Sequence, residues 1–233
     1  MNNLFLKLPF SYAPNLLLAD LKTCESETWV DHFNKNDYQG DWTIISLRSP
    51  GGNTDTIYTH GNEQYVDTPL LQSCPYFSQI TQAFQCEKQA IRLMKLFPGS
   101  EIKAHRDREC GYEDGVFRIH IPLITEPEVL FYFDGHPLHM RVGECWYGNF
   151  NALHRIVHEG TIPRVHLVVD CLRNAWSDEL FTQIGYDFAW DEQQKRLKRM
   201  QQIPATIAAL ELMDTDIARQ MIAALKKELE YEG

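Results

Sequence analysis

The chain has no cysteine pair at CxxC spacing, no apolar run as long as a membrane helix, and fewer basic than acidic residues. Its six cysteines, Cys24, Cys74, Cys86, Cys110, Cys145 and Cys171, are scattered. This argues against a zinc knuckle or a disulfide framework and fits free thiols in a reducing compartment. A membrane helix needs about 20 consecutive apolar residues, and none is present. Lys and Arg total 22 against 32 Asp and Glu, a formal net charge of -10. That sign argues against a general binder of nucleic acid or of an anionic membrane. The first residues are mildly apolar, but Lys7 and Pro9 interrupt them and no small-residue cleavage site follows, so no signal peptide is read. The expected address is the cytoplasm. Internal repeats and low-complexity segments are also missing.

Core-forming material is present instead. Hydrophobic residues make up 44% of the 233 and aromatics 12%, enough for one sizeable core with a small helical appendage. Three zones are expected. Residues 1–90 mix helix and strand: 13–33 read as one broken or two short helices behind Pro14, 42–47 as a strand, 49–53 as a loop and 76–84 as a short helix. Residues 91–173 carry short apolar runs at 91–97, 116–124, 129–133, 138–142, 144–147 and 164–171. Gly, Pro and polar breaks separate them, and helical periodicity is absent. That spacing predicts a sandwich or jelly roll of the kind cupins use. Residues 174–233 return to helix, with a stripe of Ile207, Leu210, Met213, Ile217, Met221, Ala224 and Leu225 that Asp214 divides. The stripe fits packing on the outside of the barrel, the favoured reading, or a homodimer face.

The chemistry gathers in the middle zone. His105 and Asp107 stand two apart in an extended segment, so their side chains share one side of the sheet. A histidine from a later strand can complete a face of three ligands. Two imidazoles and one carboxylate suit Fe(II) and leave positions open for a co-substrate and oxygen. Arg164, in an apolar strand behind Pro163, offers a fixed, permanently charged guanidinium for the far carboxylate of an organic acid. His154 and His158 lie four residues apart, and strand parity does not choose between them. His105 with Asp107 could instead be a surface hydrogen-bonded pair, and Arg164 an ordinary salt-bridge partner.

The stretches His105-Arg106-Asp107, Phe117-Arg118-Ile119-His120-Ile121-Pro122-Leu123, Gly143-Glu144-Cys145-Trp146 and 163–170 (PRVHLVVD) resemble the aspartyl/asparaginyl β-hydroxylase family of 2-oxoglutarate- and Fe(II)-dependent oxygenases. Its bacterial free-amino-acid members, such as proline cis-4-hydroxylase, are part of that likeness. The resemblance covers nearly a third of the chain and is specific for the family rather than for a substrate. It implies a double-stranded β-helix (cupin-like jelly roll) with flanking helices, and His105, Asp107 and His154 as iron ligands. It further implies Arg164 on the distal carboxylate of 2-oxoglutarate, and Arg118 and His120 at the co-substrate's other end. His166 shares a strand face with Arg164 and joins this set. The cofactors implied are Fe(II), 2-oxoglutarate and O2.

The function expected is hydroxylation of a C–H bond in a free amino acid or small derivative. One alternative is β-hydroxylation of an Asp or Asn residue in a peptide. Another, of a different class, is a cupin-like metal-binding protein without turnover. The loop 108–115 is expected either to cover the substrate as a lid or to be a plain connector. Arg48 and Arg92 are candidates for a substrate carboxylate or for solvated surface. His136 and His139 read as surface residues, and Trp146 and Tyr147 as core.

Overall fold

A computed structural model describes residues 3–58 and 64–232, side chains to 230. Two compact units divide at Tyr186 and Asp187. The first holds all thirteen strands found among the described residues. Strand β1 (Phe5–Ser11), helix α1 (Pro14–Cys24), strands β2 (Val30–Asp31), β3 (Tyr38–Gln39), β4 (Trp42–Pro50) and β5 (Tyr65–Asp67), and helices α2 (Pro69–Gln72) and α3 (Pro75–Ala83) come first. Then follow β6 (Lys88–Leu96), β7 (Glu101–His105), β8 (Val116–Ile124), β9 (Val129–Phe133), β10 (His136–Leu138), β11 (Glu144–Gly148), β12 (His154–His158), β13 (Arg164–Leu172) and helix α4 (Ala175–Gln183). The second unit holds helices α5 (Phe188–Glu211) and α6 (Asp216–Glu232). Among the described residues no helix is long and apolar enough to cross a membrane.

The strands form two antiparallel sheets. One runs β1-β11-β8-β13-β6-β4-β2 with β5 beside β4, and the other runs β10-β9-β12-β7-β3. This is a mainly β jelly roll with flanking helices. The larger sheet is buried on both faces at its centre, where every residue from Arg164 to Asp170 is buried. The polar residues of this stretch, Arg164, His166 and Asp170, are buried with the rest. Parity still sorts the faces. Arg164, His166, Val168 and Asp170 point one way, and Val165, Leu167, Val169 and Cys171 the other.

The barrel interior is an apolar cluster that includes Trp42, Ile44, Met94, Ile102, Phe131, Phe133, Phe150 and Ile156. A fully buried side chain such as Phe131 or Phe133 contributes about 1.5–3 kcal/mol. Outside the sheet, Tyr112 stacks on Phe181 of α4 at 3.9 Å between ring centroids. Tyr147 joins that cluster, as expected of a core residue.

Several elements differ from their sequence reading. Residues 13–33 give one helix, because α1 stops at Cys24, whose carbonyl accepts the Trp29 indole N–H. The chain then extends so that Val30 pairs with Ile44. The strand at 42 runs on to Pro50, absorbing the start of the expected loop. Strand β1 was not foreseen. It is an edge strand on β11, a place where Pro9 costs no ladder hydrogen bond. The division near Asp214 falls between α5 and α6, which pack on each other. Ile207 is buried in this unit, whereas Met213, Ile217 and Met221 are exposed.

Candidate active site

His105 ends β7 and faces His154, its direct partner on β12, with ring centroids 4.2 Å apart. Asp107 lies just past the strand end. Its backbone N–H donates to the Phe150 carbonyl at 2.9 Å, which keeps the chain extended long enough to aim the carboxylate back at both imidazoles. One ligand atom from each of the three residues lies within 4.8 Å of the others.

Both histidines anchor Nδ1 on a backbone carbonyl. His105 uses Lys103 at 2.7 Å and His154 uses Ala152 at 3.1 Å. That bond places the proton on Nδ1 and leaves Nε2 bare, as a metal requires. Burial pushes His154 down to about 4, so its imidazole is neutral at physiological pH. Burial works to raise the Asp107 carboxyl, but the Arg118 guanidinium and the two imidazoles outweigh it and hold it below its usual range.

His158 is turned elsewhere. Its Nε2 donates to the Ile162 carbonyl at 2.9 Å, and its Nδ1 accepts the Gly160 N–H at 3.2 Å. Both ring nitrogens are thus spent on the turn at 159–163. Parity left two histidines open, and the structure brings only His154 beside His105 and Asp107.

Deeper in the barrel, Arg164 is 1% exposed and makes no ion pair among the described residues. Burial lowers its guanidinium to about 9. One terminal nitrogen donates to His166 Nδ1 at 3.1 Å, and the cation lies 4.9 Å from the Phe131 ring centroid. His120 Nδ1 lies 3.3 Å from the same His166 Nδ1. Arg164 Nε, His120 Nε2 and His166 Nε2 are buried without a hydrogen-bond partner among the described residues. Burial, with Arg164 beside them, drives both histidines well below their usual range. A buried guanidinium and unmet imidazole nitrogens in an otherwise apolar interior are costly unless a polar ligand meets them.

Arg118 occupies the space between these groups. It donates to Asp107 Oδ2 at 2.7 Å and to Asp170 at 2.6 and 3.2 Å. Its neighbour across the ladder is Gly148. A Cβ there would stand 2.7 Å from the Phe133 ring, so only glycine lets the two sheets close over the site.

A cavity of about 500 Å³ opens onto His105, Asp107, His154, Arg118, His120 and Arg164. Its rim carries Arg106, Arg108 and Glu109, and its wall carries Trp42 and Arg92. His32 lies parallel on Trp42, 3.8 Å between centroids, and also lines the cavity. Sequence reading missed His32 and gave Asp170 no role. The signal for Asp170 was available: an acid on the inward face of a fully buried strand requires a partner.

Arg92 is buried and pairs with Asp170, while Arg48 pairs with Asp67 away from the cavity. The loop 108–115 divides. Arg108, Glu109 and Cys110 line the cavity. Beyond them Tyr112 is buried, with its N–H on the Tyr147 hydroxyl, and Glu113 accepts from Asn149 and Asn151.

A jelly roll with this site at the mouth of its barrel defines the class. A family model described as aspartyl/asparaginyl beta-hydroxylase matches residues 16–174, and the chain belongs to that family. It is similar to L-proline cis-3-hydroxylase 1 of a Streptomyces species, 29% identical over 167 residues, 70% of this chain and 56% of that protein. It is also similar to L-proline cis-4-hydroxylase of Rhizobium meliloti (strain 1021), 26% identical over 175 residues, 72% of this chain and 60% of that protein. The chain therefore spans less than two thirds of the length of these curated relatives.

Among solved structures, an oxidoreductase of the 2OG-Fe(II) oxygenase family from Burkholderia pseudomallei has a TM-score of 0.52 at 12% identity, covering 74% of this chain and 87% of that one. HygX from Streptomyces hygroscopicus, solved with nickel and 2-oxoglutarate, has a TM-score of 0.51 at 8% identity, covering 74% and 84%. These likenesses concern the fold.

Proposed function

We propose that the protein is a 2-oxoglutarate- and Fe(II)-dependent dioxygenase that hydroxylates a C–H bond of a free amino acid or small amino-acid derivative. One observation carries the reading: a His-Asp-His cluster shares its cavity with a buried guanidinium, Arg164, that has no carboxylate partner among the described residues. His105, Asp107 and His154 would hold the iron, a donor set that suits Fe(II) and leaves positions open. Iron bound there with 2-oxoglutarate supplies the oxidising power, consuming O2 and turning the co-substrate into succinate and carbon dioxide.

The chain's own groups bind and orient. Arg164 neutralises the distal carboxylate of 2-oxoglutarate, with His166 fixing the guanidinium and the unmet Nε awaiting an acceptor. His120 and the uncommitted hydrogens of Arg118 are the groups assigned to the co-substrate's other end. Phe131, Phe133 and Phe150 exclude water, which strengthens each of these contacts.

The small-substrate reading is supported by relatives named for L-proline. Hydroxylation of an Asp or Asn residue in a peptide is the alternative. The test is succinate release across free amino acids, their acylated forms and short peptides, with mass spectrometry for the gain of one oxygen. Succinate formation with none of them would overturn nothing about iron binding but would remove the substrate assignment. A binder without turnover is separated by anaerobic addition of Fe(II) and 2-oxoglutarate, where the chelate gives a weak visible band.

The same reading places the protein in the cytoplasm, in keeping with six free, buried cysteines. A homodimer through the C-terminal helices accords with Ile217, 72% exposed on α6. Light scattering of Ile217→Glu against the parent chain tests it.

A further inference from the structure

Four charged side chains run in alternating sign from the sheet to the cluster. Arg92 on β6 donates to Asp170 Oδ2. Arg118 on β8 donates through Nε to Asp170 Oδ1 at 2.6 Å and through a terminal nitrogen to Oδ2 at 3.2 Å. The other terminal nitrogen of Arg118 reaches Asp107 Oδ2 at 2.7 Å. Asp107 Oδ1 is left facing His105 Nε2 at 3.5 Å. Arg92 and Asp170 are 7% and 3% exposed. In the β8–β13 ladder Asp170 is the direct partner of Arg118, so backbone pairing sets their register.

We propose that Asp170 is a positioning residue for the metal centre. By gripping one edge of the Arg118 guanidinium, through Nε and one terminal nitrogen, it fixes the other terminal nitrogen on Asp107 Oδ2, so that Asp107 offers a metal only Oδ1. The inference rests on the metal-site reading above. A planar guanidinium held by two bonds on one carboxylate has little rotational freedom, and its remaining edge points in one direction. A carboxylate with one oxygen already engaged by a charged donor binds as a one-oxygen ligand and leaves a coordination position open. Asp170 touches no ligand itself and acts through Arg118, as the outer partners of metal ligands do.

Sequence made the step hard to find. Asp170 lies 63 positions from Asp107, and β6 and β13 become neighbours only in the folded sheet.

The test uses Mn(II) alone as probe, its free concentration read by electron paramagnetic resonance, on the full chain. Asp170→Asn keeps the shape but presents an amide N–H₂ to one guanidinium. It should weaken Mn(II) binding about tenfold or more, the usual effect of removing an outer partner. If that variant leaves too much buried positive charge to fold, Asp170→Asn with Arg92→Met removes one charge of each sign. It should fold and show the same loss, because Arg118 still lacks its anchor. Leu167→Ala, on the opposite face of β13, should lower Tm and leave Mn(II) affinity unchanged.

Wild-type affinity in both Asp170 variants overturns the proposal. So does an equal affinity loss in Leu167→Ala at a matched drop in Tm. If His154→Ala binds Mn(II) as tightly as the parent chain, the metal-site reading falls and this inference with it. A loss in His154→Ala without one in the Asp170 variants sinks this inference alone.

Discussion

His105 and His154 are directly opposed across β7 and β12, and both turn Nδ1 onto a backbone carbonyl two residues upstream. The two imidazoles therefore present Nε2 to one point, and Asp107 reaches the same point from the loop. His158, on the same face of β12 by parity, is withdrawn by the turn it caps. We expect His154→Ala to abolish tight binding of one divalent metal. His158→Ala should keep the metal and lose about 1 kcal/mol per missing hydrogen bond of stability. Calorimetric titration with Mn(II) and thermal unfolding of both variants check this. Metal retained by His154→Ala and lost from His158→Ala reverses the assignment.

The candidate site was legible where local parity governs which residues share a face. His105 with Asp107, Arg118 with His120, and Arg164 with His166 are each two apart, and a strand puts such pairs on one face. The fold class was legible from the short apolar runs between turn signals. Contacts set by sheet order were not. Arg92 meets Asp170 only because β6 lies next to β13, and His32 meets Trp42 because the short β2 pairs with β4. Lys7 and Pro9 interrupt the apolar residues of β1, and an edge strand tolerates both. The choice between His154 and His158 depended on which ring the 159–163 turn consumes, a tertiary fact that no periodicity carries.

Arg164 supplies the next expectation. Its guanidinium is buried, pairs with no carboxylate among the described residues, and keeps Nε unmet. If it receives the distal carboxylate of 2-oxoglutarate, Arg164→Ala leaves that carboxylate buried without a partner. Breaking one side of a buried pair costs roughly 3–5 kcal/mol. The 2-oxoglutarate requirement should therefore rise about a hundredfold or more, at tenfold per 1.4 kcal/mol. Mn(II) affinity should change far less. Succinate release against 2-oxoglutarate concentration measures it, and an unaltered requirement removes Arg164 from this role.

The two halves of the segment after Asp107 are built differently. Arg108 and Glu109 are exposed at the cavity rim. Tyr112 is locked between Phe181, Tyr147 and the Asp178 carboxylate, to which its hydroxyl donates at 2.7 Å. If a lid exists, it is confined to the residues before Cys110. Trypsin should then cut at Arg106 or Arg108 in the free protein, and substrate with 2-oxoglutarate and an inert metal should suppress the cut. Tyr112→Phe should lower Tm without changing that protection. Equal cutting with and without substrate makes the rim a connector.

Glu144 carries the pH dependence with the clearest sign. Its carboxylate accepts from Lys7 Nζ at 2.6 Å, from the Arg141 N–H at 2.9 Å and from the Trp146 indole at 2.9 Å. Partial burial works to raise it, but these donors outweigh that and hold it below the usual carboxylate range. A group depressed in the folded state stabilises the fold above its unfolded value, about 4.3 for Glu. That contribution fades as pH falls through the folded value. Lys7 is half exposed, so salt screens part of the effect. Glu144→Gln should therefore unfold at a lower temperature than the parent chain at pH 7, and the gap should close as pH falls below the unfolded value of about 4.3. Melting curves of both proteins across that range decide it: a gap of constant width would mean that the Lys7 and Trp146 contacts contribute through packing rather than charge.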